Sequence, residues 1–175
     1  MERGDDAALA RAALRGSDQA FGLLVHRHQQ ALRAFLRRAC GADAEDVAQE
    51  AFVTAWTTLR RLKEPTGFRS WLFGIAWKKA LTRMRSARRG QARDGAWLQT
   101  RPQSVLEPHA DRMALERALA VLSPDQRAVA ALCLAQDWSH SEAAETLNLP
   151  LGTVKSHLAR ARARLLEVLG ESDGR

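Results

Sequence analysis

Apolar residues recur at helical spacing along most of this 175-residue chain. Phe21, Leu24, Val25, His28, Leu32, Phe35, Leu36 and Ala39 share one face of a helix that Gly41 ends. Asp43 is placed to cap a second helix, with Asp46 in the acid-rich first turn that the helix dipole favours. The buried face expected there is Val47, Ala48, Ala51, Phe52, Ala55, Trp56, Leu59 and Leu62. Pro65 and Gly67 break the pattern. A third helix then runs from Phe68 to about Ala87. Its first half is apolar nearly all round, and its second half turns basic. A weaker helix at Asp5 to Arg15 closes the bundle.

The second half of the chain is also helical. One helix is expected from Met113 to Leu122. Ser123 with Pro124 opens another, to about Ala135. Ser139 caps a third, with Glu142 at the capping-box position, running to Leu147. Asn148 to Gly152 is a tight turn, and a last helix begins near Thr153 and runs to about Leu169. Between the halves, residues 88–111 hold Gly90, Gly95, Pro102 and Pro108 and no sustained period, so they read as a flexible linker. Trp97 and Leu98 within it are apolar enough to dock locally. The expectation is an all-α chain of two small domains, residues 1–87 and 112–175.

Composition supports this. Ala (32) and Leu (24) dominate, while Val, Ile and Thr together number only 17, which favours helices over sheet. No apolar run approaches the roughly 18–20 residues of a membrane span. The N-terminus is not a signal peptide, so no membrane insertion is expected. With only Cys40 and Cys133, a disulfide scaffold is not expected, and a reducing cytoplasm is the natural setting.

The net charge of +7 says little until it is divided. Residues 43–59 carry −4, residues 60–93 carry +10 and residues 153–166 carry +4. Such blocks suggest separate surfaces for separate partners. Arg outnumbers Lys 23 to 4, which suits phosphate binding but is also what a GC-rich genome produces.

Residues 139–164 have the parts of a helix-turn-helix. Ala143, Ala144, Leu147, Leu149, Val154, Leu158, Ala161 and Leu165 would pack it. The outward face offers Thr153, Lys155, Ser156, His157, Arg160 and Arg164, with no acid between Glu145 and Glu167. Early residues of such a helix reach base edges and later arginines hold phosphates.

Three segments carry a family resemblance. Leu122-Ser123-Pro124-Asp125-Gln126-Arg127, with Leu151-Gly152-Thr153-Val154-Lys155-Ser156 and Arg160-Ala161-Arg162, resembles the promoter-binding C-terminal domain of extracytoplasmic-function (ECF) sigma factors. Asp43 to Phe52 (DAEDVAQEAF) resembles their polymerase-binding helix. Phe68 to Ala76 (FRSWLFGIA) resembles their promoter-melting segment.

The resemblance implies core RNA polymerase (β′ and β subunits) and promoter DNA as partners, and an anti-sigma factor as regulator. Asp46, Gln49, Glu50 and Val53, opposite the Val47–Phe52–Trp56 stripe, would meet polymerase. Lys63, Thr66, Trp77, Lys78, Lys79, Arg83 and Arg85 would handle the −10 element. There the cost of unstacking is offset by base capture and by cationic and aromatic contacts. Trp71 is expected in the core and Trp77 on the DNA. Thr153, Lys155, Ser156, His157, Arg160 and Arg164 would read the −35 element. Lys78 and His157 depart from the Asn and Arg common in relatives, which bears on promoter sequence.

The alternative is a helix-turn-helix regulator acting alone on an operator, which leaves residues 43–93 without a task. No catalytic grouping, phosphate loop or metal-binding spacing appears, so no enzyme, cofactor or metal is expected. His26 and His28 point to different helix faces.

Overall fold

A computed structural model describes residues 2–93 and 118–170. All regular structure among them is helical. The chain divides into two compact units, Met1–Trp97 and Leu98–Arg175.

The first unit holds α1 (Glu2–Leu14), α2 (Asp18–Cys40), α3 (Ala44–Thr57) and α4 (Phe68–Arg93). Ser17 caps α2, its hydroxyl accepting from the Ala20 N–H at 3.2 Å. Gly41 ends α2 with a φ of 70°, a conformation glycine adopts without penalty. The polypeptide then passes through a 3₁₀ turn, Gly41–Asp43, into α3. Asp43 does not cap α3 through its side chain as expected. Its carboxylate turns instead towards Arg83 of α4, at 3.7 Å.

Consecutive helices pack on one another, α1 on α2, α2 on α3 and α3 on α4. Phe35, Phe68, Phe73, Leu24, Leu32, Leu36, Leu72 and Val47 are fully buried at the centre. Burying a side chain of this size contributes about 1.5–3 kcal/mol. The Phe35 ring lies 5.5 Å from Phe73 and 6.2 Å from Trp77. Asp6 of α1 and His28 of α2, 5% and 6% exposed, form a buried polar pair that ties these helices together.

Three residues differ from the expected faces. The buried stripe of α3 is Ala44, Val47, Ala48, Ala51 and Ala55. Small residues centre the packing there, so Phe52 is only half-buried and Trp56 is 40% exposed. Val25 of α2 is likewise half-buried.

The third helix extends to Arg93, six residues past the expected end at Ala87. Residues 88–93 contain no proline, and one glycine does not stop a helix. The rest of the expected linker, with Trp97 and Leu98, lies outside the described residues. So does most of the helix expected at Met113–Leu122, of which 118–120 are helical.

The second unit contains α5 (Pro124–Cys133), α6 (His140–Leu147) and α7 (Leu151–Gly170). Capping boxes open both α5 and α6. The Ser123 hydroxyl accepts from the Gln126 N–H at 3.3 Å, and the Ser139 hydroxyl from the Glu142 N–H at 3.2 Å. In each box the third residue reaches back to the cap N–H, Gln126 at 3.0 Å and Glu142 at 2.9 Å. Val129, Leu132, Val154, Leu158, Ala161 and Trp138 are buried in this unit.

Candidate functional site

Asn148 sets the geometry of the second unit. It ends α6 in the left-handed conformation, at φ 53°, which its short amide side chain tolerates. The Leu149 N–H then donates to the Ala144 carbonyl at 2.9 Å. After Pro150, α7 begins at Leu151, two residues before the expected start. A short capped helix, a three-residue turn and a long basic helix make a helix-turn-helix.

On α7, Val154, Leu158 and Ala161 face inward, while Leu165 is half-buried. Lys155, Arg160 and Arg164 are exposed, and Thr153, Ser156 and His157 are half-buried beside them. The structure thus brings all six expected residues to one helix. The Ser156 hydroxyl donates to the Thr153 carbonyl at 2.9 Å. Arg164 lies 3.5 Å from the Glu167 carboxylate, an exposed pair that competes weakly with phosphate. The His157 Nδ1 is buried without a hydrogen-bond partner among the described residues.

In the first unit, the outward face of α3 presents Asp46, Gln49, Glu50 and Val53, all exposed. Trp56 belongs to this face and not to the inward stripe assigned to it. It stands three residues from Val53 and seven from Gln49, hence on the same side. Its ring packs on Phe21, with centroids 4.8 Å apart, while the residue stays 40% exposed. The face is therefore acidic at one edge and apolar at the other.

The two α4 tryptophans are exchanged relative to expectation. Trp77 is 2% exposed and packed against Phe35, so it is a core residue. Trp71 is half-buried and lines up with Lys78 and Arg85, seven and fourteen residues on, along the outward side of α4. An α4 that is apolar all round over its first turns gives no signal of which tryptophan faces inward. Lys63 and Thr66, before α4, are both exposed beside the 3₁₀ turn Pro65–Gly67.

Lys79 and Arg83 point elsewhere, towards α3. Arg83 Nη1 lies 3.5 Å from Asp46 and 3.7 Å from Asp43, and its Nη2 donates to Glu50 in a short hydrogen bond. Lys79 Nζ is 3.7 Å from the other Glu50 oxygen. The Arg83 hydrogen bond, above all, holds the Glu50 carboxyl below the usual carboxylate range. The same bond raises Arg83 above its own. These contacts account for Glu50, which the helix dipole alone does not explain. On the α2 side, Glu45 pairs with Arg33 at 2.9 Å and Arg37 at 3.0 Å.

Cys40 and Cys133 are half-buried and unbridged. Among the described residues no group of three His, Cys, Asp or Glu side chains could hold a metal ion. No described helix is long and apolar enough to cross a membrane.

A helical bundle with an acidic helix laid on a basic one, followed by a helix-turn-helix, is the arrangement of a transcription initiation factor of the sigma-70 type. The chain matches Sigma-70 region 2 over residues 24–90 and Sigma-70 region 4 over residues 112–165. It is 34% identical over 174 residues to the ECF RNA polymerase sigma factor SigM of Mycobacterium tuberculosis, covering 94% of this chain and 85% of that protein. It is 35% identical over 180 residues to the RNA polymerase sigma factor NccH of Alcaligenes xylosoxydans, covering 95% and 96%. Its fold matches that of RpoE in complex with the anti-sigma factor NepR from Bartonella quintana. That match has a TM-score of 0.75 at 30% identity, over 86% of this chain and 96% of the other. The chain belongs to the ECF subfamily of RNA polymerase sigma factors. Sigma factors are transcription initiation factors and not enzymes.

Proposed function

We propose that this sigma factor divides its work between its two units as the charge blocks suggest. Residues 1–87 dock on core polymerase and open the −10 element, and residues 112–175 bind the −35 duplex. The α3 face of Asp46, Gln49, Glu50, Val53 and Trp56 meets the β′ subunit, with further contacts to β. Lys63 and Thr66 flank the captured base. Trp71, Lys78 and Arg85 follow the freed strand, combining an aromatic face with cations as single-strand binding requires. Thr153, Lys155, Ser156 and His157 read the −35 bases, and Arg160 and Arg164 hold phosphates.

The observation that carries this reading is the order of surfaces along one chain. An acid-and-apolar helix face, an aromatic–basic helix and a helix-turn-helix occur in sequence, each with its working side chains outward. A regulator acting alone on an operator has no use for the first two. By likeness to the NepR-bound relative, an anti-sigma factor controls this chain, in the cytoplasm.

The test is transcription by purified core polymerase, with and without the full chain, on fragments of the source genome. Discrete new start sites that depend on the chain are expected. Their absence, together with binding of the chain alone to a palindromic duplex, would sink the reading.

A further inference from the structure

None of Pro65, Thr66 and Gly67, the turn before α4, is itself buried. The turn is closed by two backbone bonds. The Gly67 N–H donates to the Glu64 carbonyl at 2.9 Å, and the Phe68 N–H donates to that of Pro65. Its place on the molecule is set by what lies against it. One support is α1, which packs on the turn as well as on α2. Ala7, Ala10 and Ala13 are buried at three-residue spacing along α1, and such small side chains let its backbone approach its neighbours closely. The other support is Phe68, which follows the turn directly and is fully buried. Its ring lies 5.7 Å from that of His28 and 6.4 Å from that of Phe21.

Both supports meet at one polar contact. The His28 Nε2 of α2 lies 2.8 Å from one Asp6 oxygen of α1, and Arg27 holds the other oxygen at 2.7 Å. The contact fixes α1 on α2 and, at the same time, the His28 ring against Phe68. Stability alone does not call for a polar pair here, because two apolar groups of the same shape can pack as well. What the pair adds is a single orientation for the ring and a single seat for the helix.

We propose that Asp6 and His28 are positioning residues for −10 recognition: they seat α1 and Phe68 so that the Pro65–Gly67 turn presents Thr66, with Lys63 before it, at one fixed place for the captured base. Neither side chain touches DNA. Displacements of about 1 Å are enough to degrade a recognition site whose supports are loose. This rests on the assignment of Lys63 and Thr66 to the captured base. It adds α1 and α2, which that assignment leaves without a part in DNA recognition, to what sets promoter preference.

The experiment combines the full-length chain with core polymerase on a chain-dependent promoter whose −10 bases are randomised. Barcoded transcripts report which −10 sequences are used. Asp6→Ala is expected to lower the preference for the best captured base about threefold. Asp6→Asn, whose amide oxygen still accepts from the His28 ring, is expected to stay within about 1.5-fold of the parent. Preference among randomised −35 sequences is expected to stay the same in both. Each assay is run at a temperature at which circular dichroism shows the variant to be folded. His28→Leu, with the same expected loss as Asp6→Ala, takes its place if that chain does not fold. A uniform fall in initiation with an unchanged −10 preference overturns the proposal and leaves the pair a contact of the fold. So does an Asp6→Asn chain that loses as much preference as Asp6→Ala, or a −35 preference that changes along with that at −10. No chain-dependent initiation by the parent would instead remove the reading on which the proposal rests.

Discussion

The Nε2 of His28 lies 2.8 Å from the Asp6 carboxylate, with both side chains buried where α1 crosses α2. Arg27 Nη1 reaches the other carboxylate oxygen at 2.7 Å. Removing Asp6 leaves a buried ring nitrogen without its partner. Asp6→Ala is expected to destabilise the first unit by about 2–3 kcal/mol, read from the midpoint of urea unfolding at constant slope.

Burial, more than any neighbour, pushes the His28 pKa below its ordinary 6.5, against the raising influence of Asp6. Arg69 and Arg27 add to the depression. The unfolded chain therefore takes up this proton first as the pH falls. The contribution of neutral His28 is complete above about pH 6.5 and is lost as the pH drops through its lower folded value. Urea midpoints of the parent should fall across that window, and those of His28→Asn should fall less. Parallel curves would place the pH dependence in other groups.

The two tryptophans of α4 should separate stability from binding. Trp77→Ala empties a packed site and is expected to cost about 3–5 kcal/mol. Trp71→Ala should leave the unfolding midpoint nearly unchanged and weaken single-strand affinity by about 1–3 kcal/mol. Acrylamide should quench the fluorescence of a chain retaining only Trp71 and spare one retaining only Trp77.

On α7, Lys155 and Arg160 are exposed and free of acidic neighbours in sequence. Lys155→Ala is expected to relax discrimination among −35 duplexes. Arg160→Ala should weaken all of them alike and reduce the salt slope of binding by about 1. The salt titration tells the two roles apart. A uniform loss from both substitutions would make both residues phosphate contacts.

Burial pushes the Cys133 thiol above its usual range. The thiolate is the reactive form, so Cys133 should alkylate more slowly in the native chain than in urea. A Cys40→Ser chain treated with iodoacetamide at pH 8 isolates the site. Equal rates in both states would mean that burial does not protect it.

What could be read along the chain and what could not divide by distance in sequence. Ser123, Ser139 and Gly41 announce helix ends because their partners lie within a few residues. The face of α2 was legible because apolar and polar residues alternate cleanly around it. Trp56, Trp71 and Trp77 were not. Each stands in an apolar stretch whose inward direction is chosen by the helix packed against it. The charge blocks were visible, yet they read as independent surfaces. Arg83 meets Glu50 and Asp46 across 33 and 37 residues, a juxtaposition that only the packing of α3 on α4 creates. Asp43 has the right type and position for a cap, and the same packing draws it to Arg83.

The 26 residues of α4 span about 39 Å. Its first turns are anchored by the bundle, but Arg85, Ser86, Ala87, Arg88 and Arg89 are exposed on every side. Arg85 and Arg89, one turn apart on this stretch, repel each other. A polyanion laid along it cancels the repulsion and stiffens it, whereas high salt without a ligand merely screens it. On the proposed role, the solvated end of α4 takes its rigidity from the strand it grips.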